Sequence, residues 1–172
     1  MLAKNFFASA IVGICLILVG CNEQRVQVSR AVPAERQLTS ETLDIRNCET
    51  TEDLHQPLSA RLQVTKHISI DEKATLTTTD EKVEVPEEMR AELKTEIERV
   101  YQDEFEQAQS GLQQYELFVT ANKIHMYKIR WVQREYRSNI SFTMDNKPCE
   151  ASYTYRLDVP EVEGYTEMAC TA

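Results

Sequence analysis

The chain is poor in glycine, proline and histidine. Four glycines in 172 residues leave few positions for loops that cradle phosphates, and no Walker loop or dinucleotide fingerprint occurs. Five prolines exclude Pro-rich and collagen-like architectures. Three histidines, His55, His67 and His125, offer little to a hydrolase. None stands at zinc-protease spacing, and a Gly-x-Ser-x-Gly elbow is absent. No apolar run reaches the roughly 20 residues that a helix needs to cross a bilayer. Bases are in the minority: 19 Lys and Arg against 28 Asp and Glu give a net charge of −9, which argues against a general nucleic-acid binder. What remains is 42% apolar and 27% charged, the make-up of a folded domain. The length suggests one domain.

The first four residues, ending at Lys4, form a short positive start. Phe6 to Gly20 (FFASAIVGICLILVG) is almost entirely apolar and fits the apolar region of a secretory signal peptide. It closes on Leu18-Val19-Gly20-Cys21. These residues resemble the lipobox of bacterial lipoproteins, which reads Leu, a small or branched residue, Gly or Ala, then Cys. The resemblance implies cleavage before Cys21 and a diacylglycerol on its thiol. It also implies an extracytoplasmic domain anchored in membrane lipid through acylated Cys21, on the plasma or the outer membrane of a bacterium. More than one acyl chain makes such an anchor stable. On this reading residues 1–20 are a signal peptide, 21–37 a lipid anchor and flexible tether, and 38–172 a single extracytoplasmic domain. The processed chain keeps about 150 residues, enough to bury roughly 68–70% of its unfolded surface.

Periodicity predicts an α+β fold. Leu43 and Ile45 alternate within a first strand at 38–48. Leu58, Ala60, Leu62, Val64, Ile68 and Ile70 share one parity, with Arg61, Gln63 and Thr65 between them, the pattern of a half-buried antiparallel strand. Thr-rich 75–85 extends the sheet. Val85-Pro86-Glu87-Glu88 opens a helix, with Pro at its first position and acids in its first turn. Met89, Leu93, Ile97, Val100, Tyr101, Phe105, Ala108 and Leu112 then form one stripe. This predicts one long amphipathic helix over about 86–110, ending at Ser110-Gly111. Strands follow at 116–121, 123–135, 139–144, 151–159 and 165–169, with a hairpin turn at Asp145-Asn146-Lys147-Pro148. The helix packs on an antiparallel sheet of about 5–7 strands. This element order is similar to that of cystatin-like folds, although no sequence motif of that family is present.

Of five cysteines, Cys15 leaves with the signal peptide and Cys21 takes the lipid. Cys48, Cys149 and Cys170 remain, and three single pairings are open to them. The favoured one is a Cys48–Cys170 disulfide joining first strand to last, with Cys149 a free thiol beside the hairpin turn. No two of the three are close enough in sequence to suggest a zinc site.

Charge is unevenly placed. Asp80 to Glu106 carries eleven acids and four bases; Lys123 to Arg137 carries five bases and one acid. Glu88, Glu92 and Glu96 recur at i, i+4, where like charges cost a few tenths of a kcal/mol per pair, on the order of 0.2–0.5. This row is a solvated face or meets a basic partner, either the domain's own strand or another protein. On the basic segment, His125, Tyr127, Ile129 and Trp131 share one face and read as core. Lys128, Arg130 and Arg134 share the other, a candidate surface for anionic headgroups.

The functional reading is a non-enzymatic interaction or assembly module of the cell envelope, with an envelope protein as partner. No catalytic, cofactor-binding or metal-binding residue is singled out, and His55 in Glu52-Asp53-Leu54-His55 reads as a surface residue. The alternative is a solute-binding lipoprotein with a pocket between helix and sheet, lined by Tyr153, Tyr155 and Trp131. A carboxylate-based hydrolase is the weakest reading.

Overall fold

The computed structural model describes residues 26–170. Cys21 and the rest of the lipobox lie outside the described residues. In chain order the elements are Gln27–Val28 (β1), Ala34–Asn47 (β2), Leu54–Pro57 (β3), a 3-10 turn at Leu58–Ala60, Thr65–Ile70 (β4), Lys73–Leu76 (β5) and Lys82–Glu84 (β6). Then come Glu87–Val100 (α1), Gln102–Gln114 (α2), Glu116–Val119 (β7), Lys123–Met144 (β8) and Lys147–Ala169 (β9).

The fold is built on the β8–β9 hairpin. Its turn residues, Asp145 and Asn146, have φ of 51° and 59°, the left-handed pair that a two-residue hairpin loop requires. From there 22 residues of β8 run against 23 of β9, about 70 Å of ribbon at 3.3 Å per residue. β1 and β2 pair with β8; β4 and β5 pair with β9; β6 pairs with β5, all antiparallel. β3 and β7 form a separate two-stranded sheet.

The ribbon changes its buried face midway. In β8 the buried positions are His125, Tyr127 and Ile129, and then Val132, Tyr136, Ile140 and Phe142. Ile129 pairs with Val162 and Val132 with Val159 in unbroken register, so two residues three apart both face core from opposite sides of a pleated strand. Strong twist is the habit of long narrow ribbons. Two bulges flank the change: one in β2 between Gln37 and Ser40, one in β9 opposite Lys128 and Ile129. Bulges add twist. The second contains Gly164, whose φ of 155° suits a residue without Cβ.

These features correct the predicted architecture. Strand occupies more than half of the described residues and helix about a fifth. The expected single helix over 86–110 is two shorter helices broken at Tyr101, and Gly111 lies within α2 instead of ending it. The similarity to cystatin-like element order rested on one long helix and falls with it. The strands expected at 123–135 and 139–144 are one strand, as are those at 151–159 and 165–169. The face change hides the continuity, because no single parity of apolar residues survives it. Pro160 is accommodated because β4 pairs with β9 only as far as Asp158, leaving an open edge there. At the other end of the expected 58–70 strand, Leu58 is buried in the 3-10 turn, and the strand begins only at Thr65.

Residues 26–37, read as tether, are part of the domain. Gln27 pairs with Ser141 and Val28 with Ile140, the Ser29 N–H donates to the Asn139 carbonyl at 3.1 Å, and β2 begins at Ala34. Among the described residues no helix is long and apolar enough to cross a membrane.

Candidate functional site

Lys128, Arg130 and Arg134 are matched by acids of the same chain. Lys128 meets Glu163 at 2.7 Å. Arg130 meets Glu161 at 2.6 Å and Glu163 at 3.8 Å. Arg134 meets Glu35 at 3.0 Å and Glu161 at 3.9 Å. The Lys128 ammonium, hydrogen-bonded to Glu163, holds that carboxyl below its usual range. The Glu161 hydrogen bond raises Arg130. The partners Glu161 and Glu163 were not singled out from sequence, yet counting outward from the Asp145-Asn146 turn pairs Arg130 with Glu161.

The acidic row does not face this ladder. Glu88 and Glu92 are exposed on α1, and Glu96 pairs with Arg99 one turn on, at 2.5 Å. The two rows singled out from sequence are therefore separate features of the surface.

His125 is fully buried. Its Nδ1 lies 2.7 Å from the Phe118 carbonyl and its Nε2 3.3 Å from Glu167. Its ring stacks on Tyr165 with centroids 4.4 Å apart. With both nitrogens engaged, the imidazole serves to join β7 to the ribbon. Glu167 is held below the usual carboxylate range, first by Lys123 and then by His125. His55 lies on the surface, 3.3 Å from Glu116. Among the described residues no three metal-ligating side chains gather.

Tyr153 and Tyr155 come together, but as core. The Tyr101 ring stacks on Tyr155 and packs against Tyr136, with centroids 4.7 Å apart in each pair. Burial raises the hydroxyls of Tyr153 and Tyr155. Trp131 does not join them; its indole N–H donates to Glu41 at 2.8 Å. These three residues do not line one pocket together, although Tyr155 lines a recess of about 400 Å³ between the helices and the sheet. A different groove, of about 570 Å³, lies between α2 and β9. Leu58, Leu112, Tyr115, Arg134, Pro160 and Val162 line it. Gly111 also lines it, and a Cβ there would meet no atom within 4 Å.

The N-terminal segment is joined to the tyrosine core by a chain of hydrogen bonds. The Ala31 N–H donates to the Tyr101 hydroxyl at 3.1 Å. The Tyr101 and Tyr153 hydroxyls are 2.9 Å apart, and Tyr153 donates to the Ser29 carbonyl at 2.5 Å. With its own proton on Ser29, Tyr153 accepts from Tyr101.

Cys48 and Cys170 form a disulfide, with Cα atoms 5.7 Å apart and a sequence separation of 122. Cys149 is free and buried, and burial pushes its thiol up.

No protein-family model matches the chain, and neither a curated protein nor a solved structure does.

Proposed function

We propose that the chain is a lipid-anchored extracytoplasmic module that binds a protein partner in a bacterial cell envelope and catalyses no reaction. The observation that carries this reading is the pairing of Cys48 with Cys170 in a chain that begins with a lipobox-like leader. Disulfides persist in oxidising compartments, which is where such a leader sends a protein. Burial of Cys149 supports it too, since the leftover thiol is kept from unwanted exchange. The partner is a protein because the basic row that headgroups would use is already neutralised within the chain.

Metabolic palmitate labelling tests the anchor. Label should enter the wild type and be lost in Cys21→Ser; equal labelling of both overturns it. Affinity capture from detergent-solubilised membranes of the host tests the role. A stoichiometric protein partner supports it, and hydrolysis of an envelope substrate by the purified chain overturns it.

A second reading, solute binding, is favoured by the groove between α2 and β9. Its volume, about 570 Å³, falls within the range of small-molecule sites. Thermal-shift screening separates the two readings, because a ligand at 100 times its Kd adds about 2.7 kcal/mol.

A further inference from the structure

The break between α1 and α2 has no cause in its own sequence. The apolar stripe of Met89, Leu93, Ile97, Tyr101, Phe105, Ala108 and Leu112 continues across it, as in a single helix. Kinks ordinarily arise at Pro, at Gly or Ser pairs, or where a side chain enters the ladder. Glu98 to Phe105 (ERVYQDEF) holds no Pro, Gly or Ser. Yet Tyr101 has φ −106° and ψ 15°, outside the helical range.

Against the break lie two sheet residues, Tyr155, whose hydroxyl donates to the Tyr101 carbonyl at 3.5 Å, and Lys66, which pairs with Glu98 and sits over the Phe105 ring, and beside them the segment 26–31. The Arg30 guanidinium donates to the carbonyl of Val100, the last residue of α1. It also pairs with Glu104, in the first turn of α2, at 3.5 Å, and it lies over the Tyr101 ring at 5.9 Å. One cation thus satisfies a carbonyl at the end of one helix and a carboxylate at the start of the next. Ala31 reaches the same tyrosine through its hydroxyl. The segment has few backbone ties to the sheet: β1 is two residues long, the Ser29–Asn139 bond is its next link to β8, and its other hydrogen bonds run to the hydroxyls of Tyr101 and Tyr153.

We propose that residues 26–31 act as a latch that holds the helix break, and that their release lets α1 and α2 join into one straight helix. The two arrangements form a two-state element, biased by whether the N-terminal segment is docked. A recess of about 400 Å³ straddles the break, lined by Thr95, Glu98, Gln102, Phe105 and Tyr155, and it changes shape with the switch. A pull on the N-terminus is thereby read as a change on the helix surface. The latch needs no lipid and stands apart from acylation; only the identity of the pull, a membrane anchor, rests on the function proposed above.

Nitroxide labels on cysteines placed at exposed Glu88 and Gln113, in the full chain in detergent micelles, test this. A straight helix separates these positions by about 37 Å. The wild type should show a shorter distance. Arg30→Ala and Ser29→Pro should each move the distribution several ångströms towards the straight value. Arg30→Lys, which keeps the cation, should stay near the wild type. Ser29→Pro removes one N–H and leaves the core side chains intact, so it remains informative if Arg30→Ala fails to fold. A wild type already at the straight distance, or folded variants with an unmoved distribution, overturns the latch whether or not Cys21 carries palmitate.

Discussion

The hydroxyls of Tyr101 and Tyr153 lie 2.9 Å apart, and they link the middle of the helical layer to a strand of the sheet beneath it. Tyr153→Phe removes both the acceptor for Tyr101 and the donor to Ser29. Buried groups left without partners cost about 1–3 kcal/mol. Thermal unfolding should therefore fall by several degrees, at about 2–4 °C per kcal/mol for a domain of this size. An unchanged midpoint would show that the hydroxyl chain adds nothing to stability.

The Cys48–Cys170 bond closes a loop across nearly the whole domain. Replacing both residues by Ser should lower the unfolding free energy by about 4–5 kcal/mol in the chain-entropy model. Denaturant titration of oxidised and reduced wild-type chain, beside the double variant, measures it. Reduced wild type and double variant should coincide.

The two described glycines should respond with opposite signs. Gly111 sits inside α2 with open space around its missing side chain, so Gly111→Ala should stabilise by about 0.5–1 kcal/mol. Gly164, at φ 155° in the β9 bulge, should lose about 1–3 kcal/mol on replacement by Ala, the cost of a residue held in a sparsely populated backbone region. Urea midpoints at a common m-value decide both.

Acid should weaken the domain through its ion pairs. Hydrogen bonds from Arg137 and then Arg156 hold the Glu135 carboxyl below its usual range. A depressed carboxylate adds stability above its unfolded pKa and loses it as pH falls through the folded one. Stability should thus decline below about pH 4.5, near where unfolded glutamates titrate. Glu135→Gln should make that decline shallower. Unfolding free energies measured from pH 7 to pH 3 give the two slopes, and equal slopes would remove Glu135 from the account.

Much of the hairpin is legible without coordinates. The Asp145-Asn146 turn stands between Ile140, Phe142 and Met144 on one side and Ala151 to Val159 on the other, and period-two alternation does the rest. The Cys48–Cys170 pairing was one of three possibilities and is the one that forms. What escapes a local reading depends on distant residues. The helix break at Tyr101 coincides with its contacts to Tyr155, Tyr153 and Arg30, none of which lies within 50 positions of it. The face change between Ile129 and Val132 belongs to the twist of paired strands, so a pattern read along one strand loses phase there. The pairing of Lys128, Arg130 and Arg134 with Glu161 and Glu163 needed the hairpin register before charge could be assigned a partner. Trp131 and the tyrosines are kept apart for a similar reason: Tyr153 pairs with Ser138 and Tyr155 with Tyr136, so both share a face with the even residues of β8 and not with Trp131.

The bond between Cys48 and Cys170 also bears on how the molecule ages outside a cell. A protease that nicks the exposed turn around Asp80, or any loop between the two half-cystines, severs the backbone without producing separate fragments. The pieces stay covalently joined, migrate as one band until a reductant is added, and remain attached to whatever holds the amino terminus.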